Sequence, residues 1–246
     1  MTTGPTPVPS RPSSPSALEI TNLVKNYSGL RPLRIAALSL AHAERVAIAG
    51  IDAAGAEVLV NLVTGATLPD AGEIRVFGQS TAAVANGDEW LASLDAFGIV
   101  SERAVILEGS TVEQNLALPF TLEIDPVAPE MAARVSALAD ECGISPQWIE
   151  QRAGDVPAEV RARLQLARAV ALGPKLLLME HPTAALPETD RVTFGGLVAR
   201  ICEGRALTAL VVTLDTAFAA EAAQRTLTLE PATGRLVAAR RSWWRR

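Results

Sequence analysis

The sequence predicts an α/β domain: a mostly parallel sheet with flanking helices, an antiparallel β part and an inserted helical lobe. Two local patterns carry this. Arg45-Val46-Ala47-Ile48 is a short apolar run of the kind a buried parallel strand needs, and a glycine turn and a helical pattern follow it up to Gly65. Further on, the runs Lys175 to Met179 and Ala209 to Thr213 bracket a helical stretch from Glu188 to Cys202. Strands alternating with helices in this way form a parallel sheet with helices on both faces. With 246 residues, 49% of them hydrophobic, the chain has material for one large domain or a domain carrying an inserted lobe.

In chain order, Met1 to Ser16 is a Pro/Ser/Thr-rich segment, expected to be a disordered tail because it has little apolar surface to bury. The folded region is expected over residues 17–239. Ala17 to Ile20 and Leu33 to Leu40 read as antiparallel, half-exposed strands. After the strand–turn–helix unit, Gly72 to Gly78 alternates like a strand bounded by glycines. Glu89 to Ala96 reads as helix, and Gly98-Ile99-Val100 begins the next strand. A helical lobe is expected over about 111–172, broken near Pro119, Pro126 and Pro129, with its last helix from Pro157 to Leu172. There Asp155 is the expected N-cap, Pro157 suits a first turn, and Val160, Leu164, Ala167 and Ala171 share one apolar face. The end, residues 240–246, is a basic Arg/Trp tail that suits a membrane interface or a partner groove.

The turn itself, Gly50-Ile51-Asp52-Ala53-Ala54-Gly55-Ala56-Glu57, is built like a phosphate-binding loop. In such a loop, backbone N–H groups and a helix N-terminus face the phosphates, a lysine reaches the terminal ones, and the next Ser or Thr holds Mg²⁺. Here those two places are Ala56 and Glu57. The chain has only two lysines, Lys25 and Lys175, neither near the loop in sequence, and Arg45 lies on the far side of the strand. Glu57 is expected to complement the dipole of the helix it opens.

Composition excludes several classes. A net charge of −5 argues against nonspecific nucleic-acid binding. No apolar run approaches the roughly 20 residues of a membrane span, and no basic-then-apolar export signal opens the chain. Cys142 and Cys202 lack metal spacing and read as buried thiols of a reducing, cytoplasmic compartment. With only His42 and His181, a histidine-rich metal site is excluded, and no metal centre is expected.

Several ordered segments together resemble the nucleotide-binding domain of ABC transporters, over about Ala17 to Ala239. Val24-Lys25-Asn26-Tyr27 resembles the A-loop, whose aromatic stacks on adenine. Asn61 to Gly65 followed by Pro69 to Ile74 resembles the exit from the phosphate-loop helix. Thr111 to Pro119 resembles the start of the helical lobe in cassettes that work with lipoprotein- and lipid-handling permeases, and Ala167 to Leu178 the helix and strand between the signature and Walker B motifs.

Against that resemblance the catalytic positions depart from the family's pattern. The Q-loop glutamine falls on Glu102, and the signature on Val156-Pro157-Ala158-Glu159-Val160. The Walker B Asp and Glu fall on Glu180 and His181, the D-loop aspartate on Pro187, and the switch histidine on Leu214. Residual nucleotide contacts would be Tyr27, Gly50, Asp52, Gly55, Ala56 and Glu57. His181 is expected to cap a strand end beside Pro182. The resemblance with these departures implies a pseudo-ATPase: a cytoplasmic cassette docking on, or regulating, a membrane permease or another ABC cassette. A permease would be received around Glu102 to Asn115, and no cofactor would be required. Two alternatives stand beside it. One is an energy subunit binding ATP and Mg²⁺ weakly and hydrolysing slowly through Glu57, Glu180 and His181. The other is a binding module for a less charged adenine-containing ligand.

Overall fold

Apolar and β-branched runs without helical period fix the first strands. The computed structural model describes residues 16–84 and 86–238. Both tails expected from the sequence lie outside these, except Ser16, which opens β1 (Ser16–Lys25). Next come β2 (Leu33–Ala41), β3 (Arg45–Ala49), α1 (Ala53–Val63), β4 (Ala71–Val76) and β5 (Gln79–Ser80). They are followed by α2 (Gly87–Ser93), β6 (Phe97–Val100), α3 (Val112–Ala117), α4 (Pro129–Glu141) and α5 (Ala158–Val170). The chain continues with β7 (Leu176–Glu180), α6 (Glu188–Gly204), β8 (Thr208–Val212), α7 (Thr216–Ala222), β9 (Arg225–Glu230) and β10 (Arg235–Ala238).

Two sheets result. The antiparallel one has the order β2-β1-β4-β5; the larger has the order β10-β9-β3-β8-β7-β6 and is parallel except for the β9–β10 hairpin. In β7 every residue is buried, because both faces of the large sheet are covered. Leu176 and Leu178 point into a core shared with α1 and the antiparallel sheet. Leu177 and Met179 point into a second core with α3 to α7. Helices α3, α4 and α5 leave the sheet after β6 and return to it at β7, as the inserted-lobe pattern predicts.

Two local features differ from the sequence reading. Asp155 is not an N-cap. Pro157 holds that position with extended backbone and no side-chain cap bond, so Asp155 lies two residues too early. Elements α7, β9 and β10 were not foreseen, since the strand and helix signals read from the sequence stop at Thr213.

Cys142 and Cys202 are fully buried, and burial pushes both thiols up to about 12. At pH 8 that leaves a thiolate fraction of about 10⁻⁴. The native chain is therefore expected to give no prompt reaction with a thiol-specific disulfide reagent, and both thiols are expected to react once it is denatured. Prompt release of either equivalent would contradict this packing.

Candidate functional site

The turn after β3 keeps its glycine for a steric reason. Gly50 has φ +86°, and a Cβ there would stand 3.0 Å from the Leu229 carbonyl oxygen. α1 already begins at Ala53, so Ala53 to Gly55 form its first turn. Asp52 is the N-cap, its Oδ1 accepting from the Gly55 N–H at 2.7 Å. A carboxylate thus takes a backbone donor that a phosphate would use. Ala56, at the lysine place, is 0% exposed and packs into the core with Ile51 and Leu59.

Tyr27 leans over the same turn: a Cβ on Gly55 would be 3.3 Å from its hydroxyl. Partial burial, and secondly the Asp52 charge, raise the Tyr27 pKa above its ordinary value. Lys25 is committed elsewhere, paired with Asp70 at 2.9 Å. Asp70 is held at about 2, chiefly by the Asn26 backbone N–H and then by Lys25.

Glu57 behaves differently from expectation. It is the fifth residue of α1, outside the first turn, so the dipole role does not apply. Its carboxylate instead meets Arg103, on the connection from β6 to α3, with Nη1 donating to Oε1 at 3.0 Å. The same guanidinium donates through Nη2 to Glu180 Oε1 at 2.5 Å, and its Nε lies 3.4 Å from Glu180 Oε2. Glu180 ends β7 with its side chain 9% exposed. Burial raises its pKa, and Arg103 opposes that rise.

These residues line a cleft of about 630 Å³ together with Ala53, Ala54, Glu102, His181, Thr183, Arg191 and Leu214. His181 follows β7 with φ +43°, and its N–H extends the ladder to the Val212 carbonyl at 2.8 Å, the strand-end role expected of it. Among the described residues its buried Nε2 finds no hydrogen-bond partner. Leu214 is 64% exposed at the rim. Asp215 caps α7 through the Phe218 N–H, accepts from Thr183 Oγ1 at 3.1 Å, and lies 3.5 Å from Arg191 Nε.

The predicted residues therefore separate into two groups. Glu57, Glu102, Glu180, His181 and Leu214 share the cleft. Tyr27, Asp52 and Gly55 meet beside it, while Ala56 faces the core. In the signature segment Val156 and Val160 are core residues. Ala158 lines a second cavity of about 370 Å³ with Glu102, Arg161 and His181. Sequence reasoning missed Arg103 and Arg191, because it looked for a replacement cation among lysines and near the turn. A signal was available: Arg103 adjoins Glu102, already a candidate.

The family model described as "ABC transporter" matches residues 33–184. The Fe(3+) ions import ATP-binding protein FbpC of Mesorhizobium japonicum is 30% identical over 213 residues, covering 85% of this chain and 57% of that protein. The aliphatic sulfonates import ATP-binding protein SsuB of Cupriavidus necator is 31% identical, covering 87% and 66%. The methionine import ATP-binding protein MetN of the same organism is 32% identical, covering 89% and 64%. The chain thus spans little more than half the length of the iron-import relative, and about two thirds of the others. Among solved structures, cbiO1 of Clostridium perfringens superposes with a TM-score of 0.73 at 18% identity over 91% of this chain and 88% of that one. The dimeric bacterial cassette MJ0796 gives 0.70 at 21% over 89% and 96%. At those identities the likeness establishes the fold.

Proposed function

This chain belongs to the ABC transporter family, and from that premise we propose that it is a cassette whose nucleotide pocket is closed from within, acting as a docking or regulatory subunit of a membrane transporter. One observation carries the reading. Where terminal phosphates and their metal would lie, two carboxylates, Glu57 and Glu180, share the single guanidinium of Arg103. This group carries a net negative charge before any ligand arrives, and Asp52 adds another nearby.

Mg²⁺-ATP does not fit these residues. The lysine place is a buried alanine, and the Gly55 N–H is already bonded to a carboxylate. At an effective dielectric of 20, like unit charges 4 Å apart cost about 4 kcal/mol. Phosphoryl transfer depends on charge neutralisation and positioning, and the cleft's two guanidinia, Arg103 and Arg191, are already paired with carboxylates. The folded region proposed is 17–239, with the lobe at about 111–172 inserted between β6 and β7. Its partner would be a permease seated along Glu102 to Asn115, where Val105 and Leu107 expose apolar side chains. Among the described residues no helix is long and apolar enough to cross a membrane. The proposed attachment to the inner face of the membrane runs through that partner.

A second reading is favoured by the relatives, all named import ATP-binding proteins: an energy subunit that still binds ATP. Calorimetric titration of the whole chain with Mg²⁺-ATP separates the two. The closed pocket predicts no saturable heat up to millimolar nucleotide. Micromolar affinity would establish the energy subunit instead, and saturable binding of adenosine but not ATP would favour the adenine-ligand module.

A further inference from the structure

We propose that Arg103 is a tethered cation standing in the divalent ion's place, fastening the entrance of the helical lobe to the sheet without any ligand. This rests on the reading of the pocket as closed to nucleotide. By the resemblance, Glu57 holds the position of a metal-binding hydroxyl and Glu180 that of a Walker B carboxylate. Here one guanidinium spans both, at 3.0 Å from Glu57 and 2.5 Å from Glu180.

Glu180, its side chain 9% exposed, is the carboxylate for which an unpaired charge is strongly unfavourable; Glu57, 45% exposed, adds a second, partly solvated one to the same cation. This chain supplies that cation from its own neighbouring loop. Because Arg103 is tethered, its effective concentration is on the order of millimolar with no free ion to recruit. The planar fork of arginine also suits two acceptors better than an ammonium would.

The loop so held runs from β6 to α3, and other elements grip it further along. Asn115, fully buried on α3, donates to the Leu107 carbonyl and accepts its N–H, both at 2.9 Å. Arg168 on α5 donates to the Val105 carbonyl at 2.6 Å. Arg103 adds the tie to α1 and β7, a helix and a strand that flank the cleft. Sheet and lobe are thereby joined by the chain's own side chains.

The test is Mn²⁺ binding, followed by water-proton relaxation, to the full chain without nucleotide. Wild type, Arg103→Lys, Arg103→Gln and the double variant Arg103→Gln/Glu57→Gln are compared. Arg103→Gln is expected to bind Mn²⁺ at least about tenfold more tightly than wild type. Arg103→Lys, a cation without the fork, is expected to fall between wild type and Arg103→Gln, and the double variant to lose the gain. Equal Mn²⁺ affinity of wild type and Arg103→Gln, whether tight or undetectable, overturns the proposal.

Amide exchange of the wild type over residues 101–107 gives an arm that needs no variant to fold. Exchange unchanged by Mg²⁺ supports the tether, and slowing by Mg²⁺ overturns it. A wild type that binds ATP yet ignores Mn²⁺ would overturn the closed pocket alone and leave Arg103 in its role.

Discussion

Replacing Phe218 with alanine is expected to destabilise the chain by about 3–5 kcal/mol, a large part of the 5–15 kcal/mol that holds a typical domain folded. Phe218 is the largest of the fully buried side chains, and its ring stacks on Phe194 of α6 with centroids 5.8 Å apart. Neighbouring backbone leaves little room for collapse into the space. A Cβ at Gly195 would already stand 3.0 Å from the Phe218 carbonyl and 3.3 Å from its ring. α6 and α7 are therefore in close contact, and the truncated site would keep most of its cavity. Denaturant melts would read the loss as a lower midpoint at unchanged slope. A loss below about 1 kcal/mol would mean that α7 does not dock as described. The effect reaches the cleft as well, since Asp215, the N-cap of α7, accepts the Phe218 N–H.

That α7 matters so much and was not foreseen shows where sequence reasoning stops. Thr216-Ala-Phe-Ala-Ala-Glu-Ala222 is seven residues long and mostly alanine, too short for a helical period to stand out. Its existence depends on Asp215 as cap and on Phe218 finding Phe194, the second of which is a long-range contact. The parallel strands, by contrast, were legible because burial on both faces demands unbroken apolar runs, as in Leu176 to Met179. The turn at Gly50 was legible as a frame, yet the early start of α1 at Ala53 was not. Two alanines wind easily into a first helical turn, and only the structure shows that Asp52 caps it there. Arg103 was hidden for another reason. It lies 46 residues from Glu57 and 77 from Glu180, and no periodicity joins positions across such spans.

Gly98→Ala is expected to cost about 3 kcal/mol or more, although the substitution adds one methyl group. Gly98 lies on β6, the edge strand of the large sheet, where α5 crosses it. A Cβ would stand 2.3 Å from the Ala169 carbonyl oxygen and 3.0 Å from Pro174 Cγ. Backbone cannot rotate aside as a flexible side chain would, so α5 must withdraw from the sheet. α5 carries Arg168, whose guanidinium holds Val105, and a displaced α5 would loosen the loop on which Arg103 sits. Gly98→Ala is thus expected to lower the thermal midpoint and also to speed amide exchange over residues 101–107. Gly109→Ala, with nothing within 4 Å of its Cβ, is the control expected to change stability by less than about 0.5 kcal/mol. If both substitutions proved equally mild, the close approach of α5 to β6 would be wrong. Packing would then not set the distance between lobe and sheet, and Arg103 would be their main tie.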